Sequence, residues 1–182
     1  MKYELIVRFP GMKPPVVCPS FWELKFSYGC FYNCSYCYLL GTLWGKKIIS
    51  YKKYLERLER LGVELMHFLK EKPPCLLNSG ELSDSLMWEK SLRPFTPWIT
   101  GILQEFGNGH KHLIVTKSDA VHHLLEMDGQ DVNVVSFSVN PLPVWRWEKL
   151  TPHPERRLKA ARKLQNAGYE VRIRIDFPVW EA

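Results

Sequence analysis

Helical and extended patterns alternate along most of this chain, and that alternation constrains its fold more than any single residue does. From Tyr51, apolar side chains recur at 54, 55, 58, 61, 65, 68 and 69, the helical period held over about five turns, with Glu, Lys and Arg opposite. Pro73-Pro74 stops this helix, and Cys75 to Asn78 reads as a short buried strand running into Ser79-Gly80-Glu81. A second helix is expected from Pro94 or Pro97 to Phe106, ended by Gly107-Asn108-Gly109, before a strand from His112 to Thr116. The unit then repeats. Ala120 to Glu126 reads as a brief helix, Val134 to Val139 as a strand, and Pro154 to Ala167 as a helix with Pro in its first turn and Gly168 at its end. With Trp22 to Ser27 before them and Glu170 to Ile175 after, the strands number five. Parallel neighbours need a crossover between them, so strands separated by helices imply βα units, a parallel sheet and an α/β fold.

Two of these strands carry a polar face where a fully covered parallel strand would be apolar on both sides. Ser136, Ser138 and Asn140 share one side, and Arg172, Arg174 and Asp176 share another. Two arrangements accommodate them. Either the sheet curves around a wet cavity that takes its ligand at the carboxyl ends of the strands, or the last strand is an edge facing solvent.

Composition narrows the class. At 182 residues, 46% apolar and 24% charged, the chain is the size of one domain with a real core. No apolar run approaches a membrane span and no signal-peptide pattern opens the sequence, so a cytoplasmic location is expected. The net charge of +6 permits a polyanionic partner without requiring one. Much of the excess sits in Lys46-Lys47, Lys52-Lys53 and Arg156 to Lys163, and two of these stretches read as solvated helix faces. Five cysteines, an odd number in a chain too long to need disulfide staples, point to thiolate chemistry in a reducing compartment.

Three of the five fall within eight residues: Cys30, Cys34 and Cys37, in C-F-Y-N-C-S-Y-C, directly after the first strand. Three thiolates on a short loop can each take one iron of a cubane cluster and leave the fourth iron open. Zinc is the rival reading. Structural zinc takes four protein ligands, and the remaining candidates are Cys18, Cys75 or a histidine, none with paired spacing.

The same residues match the C-x3-C-x2-C signature of the radical S-adenosylmethionine superfamily, with the aromatic Tyr36 before the last cysteine. Within it the chain most resembles the spore photoproduct lyase family. Tyr36-Cys37-Tyr38-Leu39, Leu82-Ser83-Asp84, Val115-Thr116-Lys117, Phe137-Ser138-Val139-Asn140 and the segment from Ala160-Ala161-Arg162 to Gly168-Tyr169 all have counterparts in order, over roughly Phe21 to the end. The resemblance implies a single core domain over 1–182, with 1–20 as an N-terminal extension, folded as a partial (β/α) barrel of about five βα units. It implies a [4Fe-4S] cluster on Cys30, Cys34 and Cys37, whose open iron chelates S-adenosylmethionine and cleaves it reductively to a 5′-deoxyadenosyl radical that abstracts a substrate hydrogen. Gly80 and Glu81 correspond to the element that meets the methionine amino group, Lys117 to a carboxylate contact and Ser138 to a ribose contact, with Asn140 as a further cofactor candidate. Tyr36 and Tyr38 match tyrosines linked to hydrogen transfer.

The resemblance has gaps as well. The lyase family carries a cysteine hydrogen donor immediately before its Thr-Ser-Asp, and Glu81 holds that place here, with Cys75 six residues too early. A carboxylate cannot donate a hydrogen atom as a thiol does, so the dimer-repair route of the family is in question. Superfamily cores commonly wrap six βα units, and the strand Val171 to Ile175 would be an exposed edge that needs a covering partner or a further segment. A one-electron reductant of the flavodoxin or ferredoxin type is implied as partner, DNA or another nucleic acid is permitted, and no membrane is involved. Two other readings stay open: a zinc-binding nucleic-acid module without catalysis, and a radical activase or small-molecule modifier.

Overall fold

The computed structural model describes residues 3–11, 20–42 and 48–175. Six strands form one sheet in chain order: β1 (Ile6–Phe9), β2 (Phe21–Leu24), β3 (Leu76–Asn78), β4 (Lys111–Thr116), β5 (Asn133–Ser138) and β6 (Glu170–Arg174). β1 runs antiparallel to β2, with Ile6 opposite Leu24, and every later pair is parallel. The helices are α1 (Tyr38–Thr42), α2 (Tyr51–Glu71), α3 (Phe95–Phe106), α4 (His122–Glu126), α5 (Leu142–Trp145) and α6 (Pro154–Asn166). Crossovers between parallel strands are right-handed, and here spatial order follows chain order. The major connecting helices therefore collect on one face and leave the other free for a site, an open arc of a (β/α) barrel.

Two apolar clusters hold the helices to the sheet. Leu58, Leu61, Leu65 and Phe68 of α2 and Phe95, Ile99 and Leu103 of α3 pack with Ile6, Leu24 and Leu77 of the first strands. Ala160, Ala161 and Leu164 of α6 pack with Leu124 of α4 and Ile114, Val135 and Phe137 of β4 and β5. The helix α2 starts where Ser50 accepts a hydrogen bond from the Lys53 amide and stops before Pro73-Pro74, and α3 keeps Pro97 because a first-turn residue has no intrahelical N–H bond to lose. No helix among the described residues is long and apolar enough to cross a membrane.

The five strands expected from sequence are all present, and β1 adds a sixth from within the stretch read as an N-terminal extension. Glu64, buried on α2, accepts the amides of Glu4 and Leu5 and docks this strand. Arg157 requires a correction. It belongs to a charge run read as a solvated face, yet it is fully buried, on the same side of α6 as Ala160, Ala161 and Leu164. In β6, Arg172 is exposed and pairs with Glu170, so the edge reading holds for that residue. Lys46, Lys47, Cys18 and Asp176 lie outside the described residues.

Candidate active site

The carboxyl ends of the parallel strands surround a cavity of about 390 Å3. β3 delivers Gly80 and Glu81 to it, β4 delivers Lys117, β5 ends in it at Ser138 and β6 at Arg174. The segment after β2 closes the remaining side with Cys30, Cys34, Tyr36, Cys37 and Tyr38. Nine of the ten residues singled out from sequence thus line one space, and the tenth, Asn140, stands directly behind it against Tyr36.

The cysteine loop takes its path from two left-handed residues and three backbone contacts. Gly29 adopts φ +81°, where a side chain would be strained, and its amide donates to Leu82 O at 2.8 Å. Asn33 turns the chain at φ +47°. Ser35 N then donates to Trp147 O at 2.8 Å, Leu150 N donates to Tyr32 O at 3.2 Å, and Cys34 forms an isolated bridge with Glu148. The loop is thereby fastened to the segment between α5 and α6.

Beneath that contact lies a buried ionic network centred on Glu148. Its Oε1 accepts from the Tyr36 hydroxyl and from Asn140 Nδ2 at 2.8 Å and lies 3.4 Å from Lys117 Nζ. Its Oε2 pairs with Arg157 Nη2, and both side chains are wholly buried. Arg157 Nη1 donates to Ser138 O at 2.8 Å, and Lys117 Nζ lies 5.7 Å from the Tyr36 ring centroid. Burial alone would raise the Glu148 carboxyl, but the Tyr36 hydroxyl, Lys117 and Arg157 outweigh it and hold the group below its ordinary value. A carboxylate with two cations keeps its charge there, and it fixes Lys117, which lines the cavity, against the buried Arg157.

The opposite end is built from hydrogen bonds and a close strand approach. The Tyr38 hydroxyl donates to the Glu81 carbonyl, and Asn78 Nδ2 donates to Glu81 Oε1 at 2.7 Å. Burial, with Glu23 adding repulsion, raises the Glu81 carboxyl. At Gly80 a Cβ would stand 2.5 Å from Val115 Cβ, so glycine alone lets β3 and β4 close at this point. Underneath, His112 Nδ1 donates to Asn133 Oδ1 at 3.0 Å while Nε2 lies 2.8 Å from Ser79 Oγ. Burial lowers this imidazole to about 4, which keeps it neutral. Asp84, also buried, joins the two strand ends by accepting from Lys117 N and Thr116 Oγ1, each at 2.7 Å.

Without a metal the Cys30 and Cys34 thiols are pushed up to about 12, mainly by burial and then by Asp84 and Glu148 respectively. Such groups ionise when a bound cation offsets the charge. Backbone amides of Tyr32 and Asp84 approach the Cys30 sulfur, contacts that would stabilise a thiolate. Among the described residues no three His, Cys, Asp or Glu side chains form a group that closes on one metal ion. A cubane places each thiolate on a different iron and needs no such convergence, so three thiols sharing one cavity fit it.

Sequence reading missed Glu148 and Arg157. Glu148 has no local signal, because its partners are up to 112 residues away. Arg157 was readable, since Pro154, Arg157, Ala160, Ala161 and Leu164 follow the helical period and place it on the apolar stripe.

Residues 18–180 match the family model described as spore photoproduct lyase. A solved spore photoproduct lyase complexed with dinucleoside spore photoproduct is 25% identical with a TM-score of 0.65, over 90% of this chain and 46% of that one. A doubly substituted lyase with bound AdoMet and dinucleoside spore photoproduct is 26% identical with a TM-score of 0.67, over the same shares. The chain spans about half the length of the solved lyases it matches. No curated relative matches it.

Proposed function

The chain belongs to the spore photoproduct lyase family of radical S-adenosylmethionine proteins, and on that premise we propose that it is a radical enzyme whose cofactors occupy the 390 Å3 cavity. The observation that carries the reading is the meeting of three cysteines from one loop with Lys117, Ser138, Gly80 and Glu81 from three strand ends around a single space. Cys30, Cys34 and Cys37 would hold three irons of a [4Fe-4S] cluster, and Lys117, Ser138 and the Gly80-Glu81 turn would hold S-adenosylmethionine. When bound, these groups supply reductive cleavage of a carbon–sulfur bond and hydrogen-atom abstraction from the substrate.

The protein's own contribution is placement. The Lys117 ammonium suits a carboxylate and the Ser138 hydroxyl a sugar, while Asn140 acts through Tyr36. Tyr38 stands at the Glu81 end, where its phenol can pass a hydrogen atom to a substrate radical. The backbone contacts of the cysteine loop with residues 147–150 hold its three thiols at one side of the cavity.

The relatives of known structure hold a dinucleoside spore photoproduct, and a nucleic-acid lesion is the first substrate to test here. Glu81 in the hydrogen-donor place favours a second reading, radical modification of a different substrate, because a carboxyl cannot take over the thiol's step. Anaerobic reconstitution with iron and sulfide tests the common core. Equal iron and acid-labile sulfide with 5′-deoxyadenosine on reduction supports it; stoichiometric zinc without sulfide supports a zinc module instead.

A further inference from the structure

A second cavity, of about 430 Å3, lies against the cysteine loop and shares Cys30, Tyr32 and Asp84 with the first. Cys30 is the one cysteine of the three that lines both. Tyr38, Glu81 and Ser138 line only the first, so the proposed reaction has no use for the second space. Its lining includes Phe31, 51% exposed, and Leu150, 66% exposed, an apolar spot on the surface beside a metal-binding loop.

Positive charge borders that spot. Lys90 and Arg156 line the cavity, and Arg156 and Asp119 carry it into a hollow of about 190 Å3 on α6, where Lys159 and Lys163 stand. Asp84 is buried against Lys117 N and Asp119 pairs with Arg156 at 2.6 Å, so the excess positive charge of the two linings rests on Lys90, Lys159 and Lys163. A small apolar centre bordered by an excess of positive charge is the form of a weak electron-transfer interface, where charge steers the encounter and little area is buried.

We propose that this basic hollow beside Cys30 is the docking site of a small acidic iron–sulfur electron carrier, an inference that rests on the radical reading above. One electron leaves the carrier's centre, which is oxidised, and enters the cluster through its Cys30 side, which is reduced. No bond changes and no proton moves. Entry from this side keeps the carrier out of the cofactor cavity, which a donor approaching past Tyr38 and Glu81 would not. A nucleic acid would also be drawn to cations, but a substrate must reach Tyr38 and Glu81, which lie in the other cavity.

The test uses the full chain, reconstituted anaerobically, with an acidic plant-type ferredoxin as probe. The variant is Lys90→Glu/Lys159→Glu/Lys163→Glu, with the three Lys→Gln changes as a milder companion whose thermal transition is checked against the parent. We expect ferredoxin affinity, read by anisotropy, and the rate of cluster reduction by ferredoxin each to fall at least about tenfold, less for the Gln companion. Deoxyadenosine formed with dithionite should stay within about twofold of the parent, because a small reductant needs no docking face. Unchanged ferredoxin affinity and rate overturn the docking site alone. So does loss of affinity for a single-stranded oligonucleotide with ferredoxin binding intact, which assigns the face to nucleic acid. Absence of deoxyadenosine from the parent with dithionite overturns the radical reading itself.

Discussion

The two ends of the 390 Å3 cavity are held by different physics. At the Lys117 end, a buried carboxylate and two cations are locked by charge: Glu148 gathers Tyr36 from the cysteine loop, Asn140 from beyond β5, Lys117 from β4 and Arg157 from α6. At the Glu81 end, hydrogen bonds and a close strand approach do the work, through Tyr38, Asn78, Gly80 and the His112 floor. The first end would meet the cofactor, whose chemistry is common to the superfamily. The second would meet the cofactor's amino group through the Gly80-Glu81 turn and the substrate through Tyr38.

The largest effect should come from the loop that joins them. Replacing Cys30, Cys34 and Cys37 by Ala should abolish deoxyadenosine formation while the circular dichroism spectrum is retained, since the apolar clusters do not depend on these thiols; persistent deoxyadenosine would break the assignment. Next, Glu148→Gln leaves Arg157 and Lys117 without their buried counter-charge, and should cost about 3–5 kcal/mol in chemical denaturation. By contrast, Glu81→Gln keeps an acceptor for Asn78 and should cost under about 1 kcal/mol. Equal losses for the two would erase the contrast between the ends.

Acid should separate them too. His112 binds its proton less readily when folded, about 4 against 6.5, so the unfolded chain takes up more protons between those values and stability falls as pH drops through that window. The loss is about 3 kcal/mol and His112→Gln should remove it from a denaturation series against pH. Glu148 is held below its ordinary value, so its contribution is present above the ordinary carboxylate range and is lost only at lower pH. The His112 contribution is therefore lost at higher pH than the Glu148 contribution. Gly80→Ala falls between the two ends, because the added Cβ forces β3 from Val115 at a cost of about 1–3 kcal/mol in the same assay.

What the sequence revealed follows from which forces are local. The helical period placed α2 and α6, and the cysteine spacing placed the loop, because each is written in neighbouring residues. β1 was hidden because four residues become a strand only by pairing with β2 and docking on Glu64. Glu148 was hidden because its significance lies in partners from four other segments. Arg157 shows the boundary between the two, for its period was legible while its charge, grouped with Arg156 and Lys159, pointed to solvent.

The account depends on three cysteines leaving one iron open to S-adenosylmethionine. The most direct measurement is electron paramagnetic resonance of the reconstituted, reduced protein before and after S-adenosylmethionine is added. A cluster signal that changes on addition is the predicted result; a signal indifferent to S-adenosylmethionine, or no cluster signal in folded protein, would contradict it.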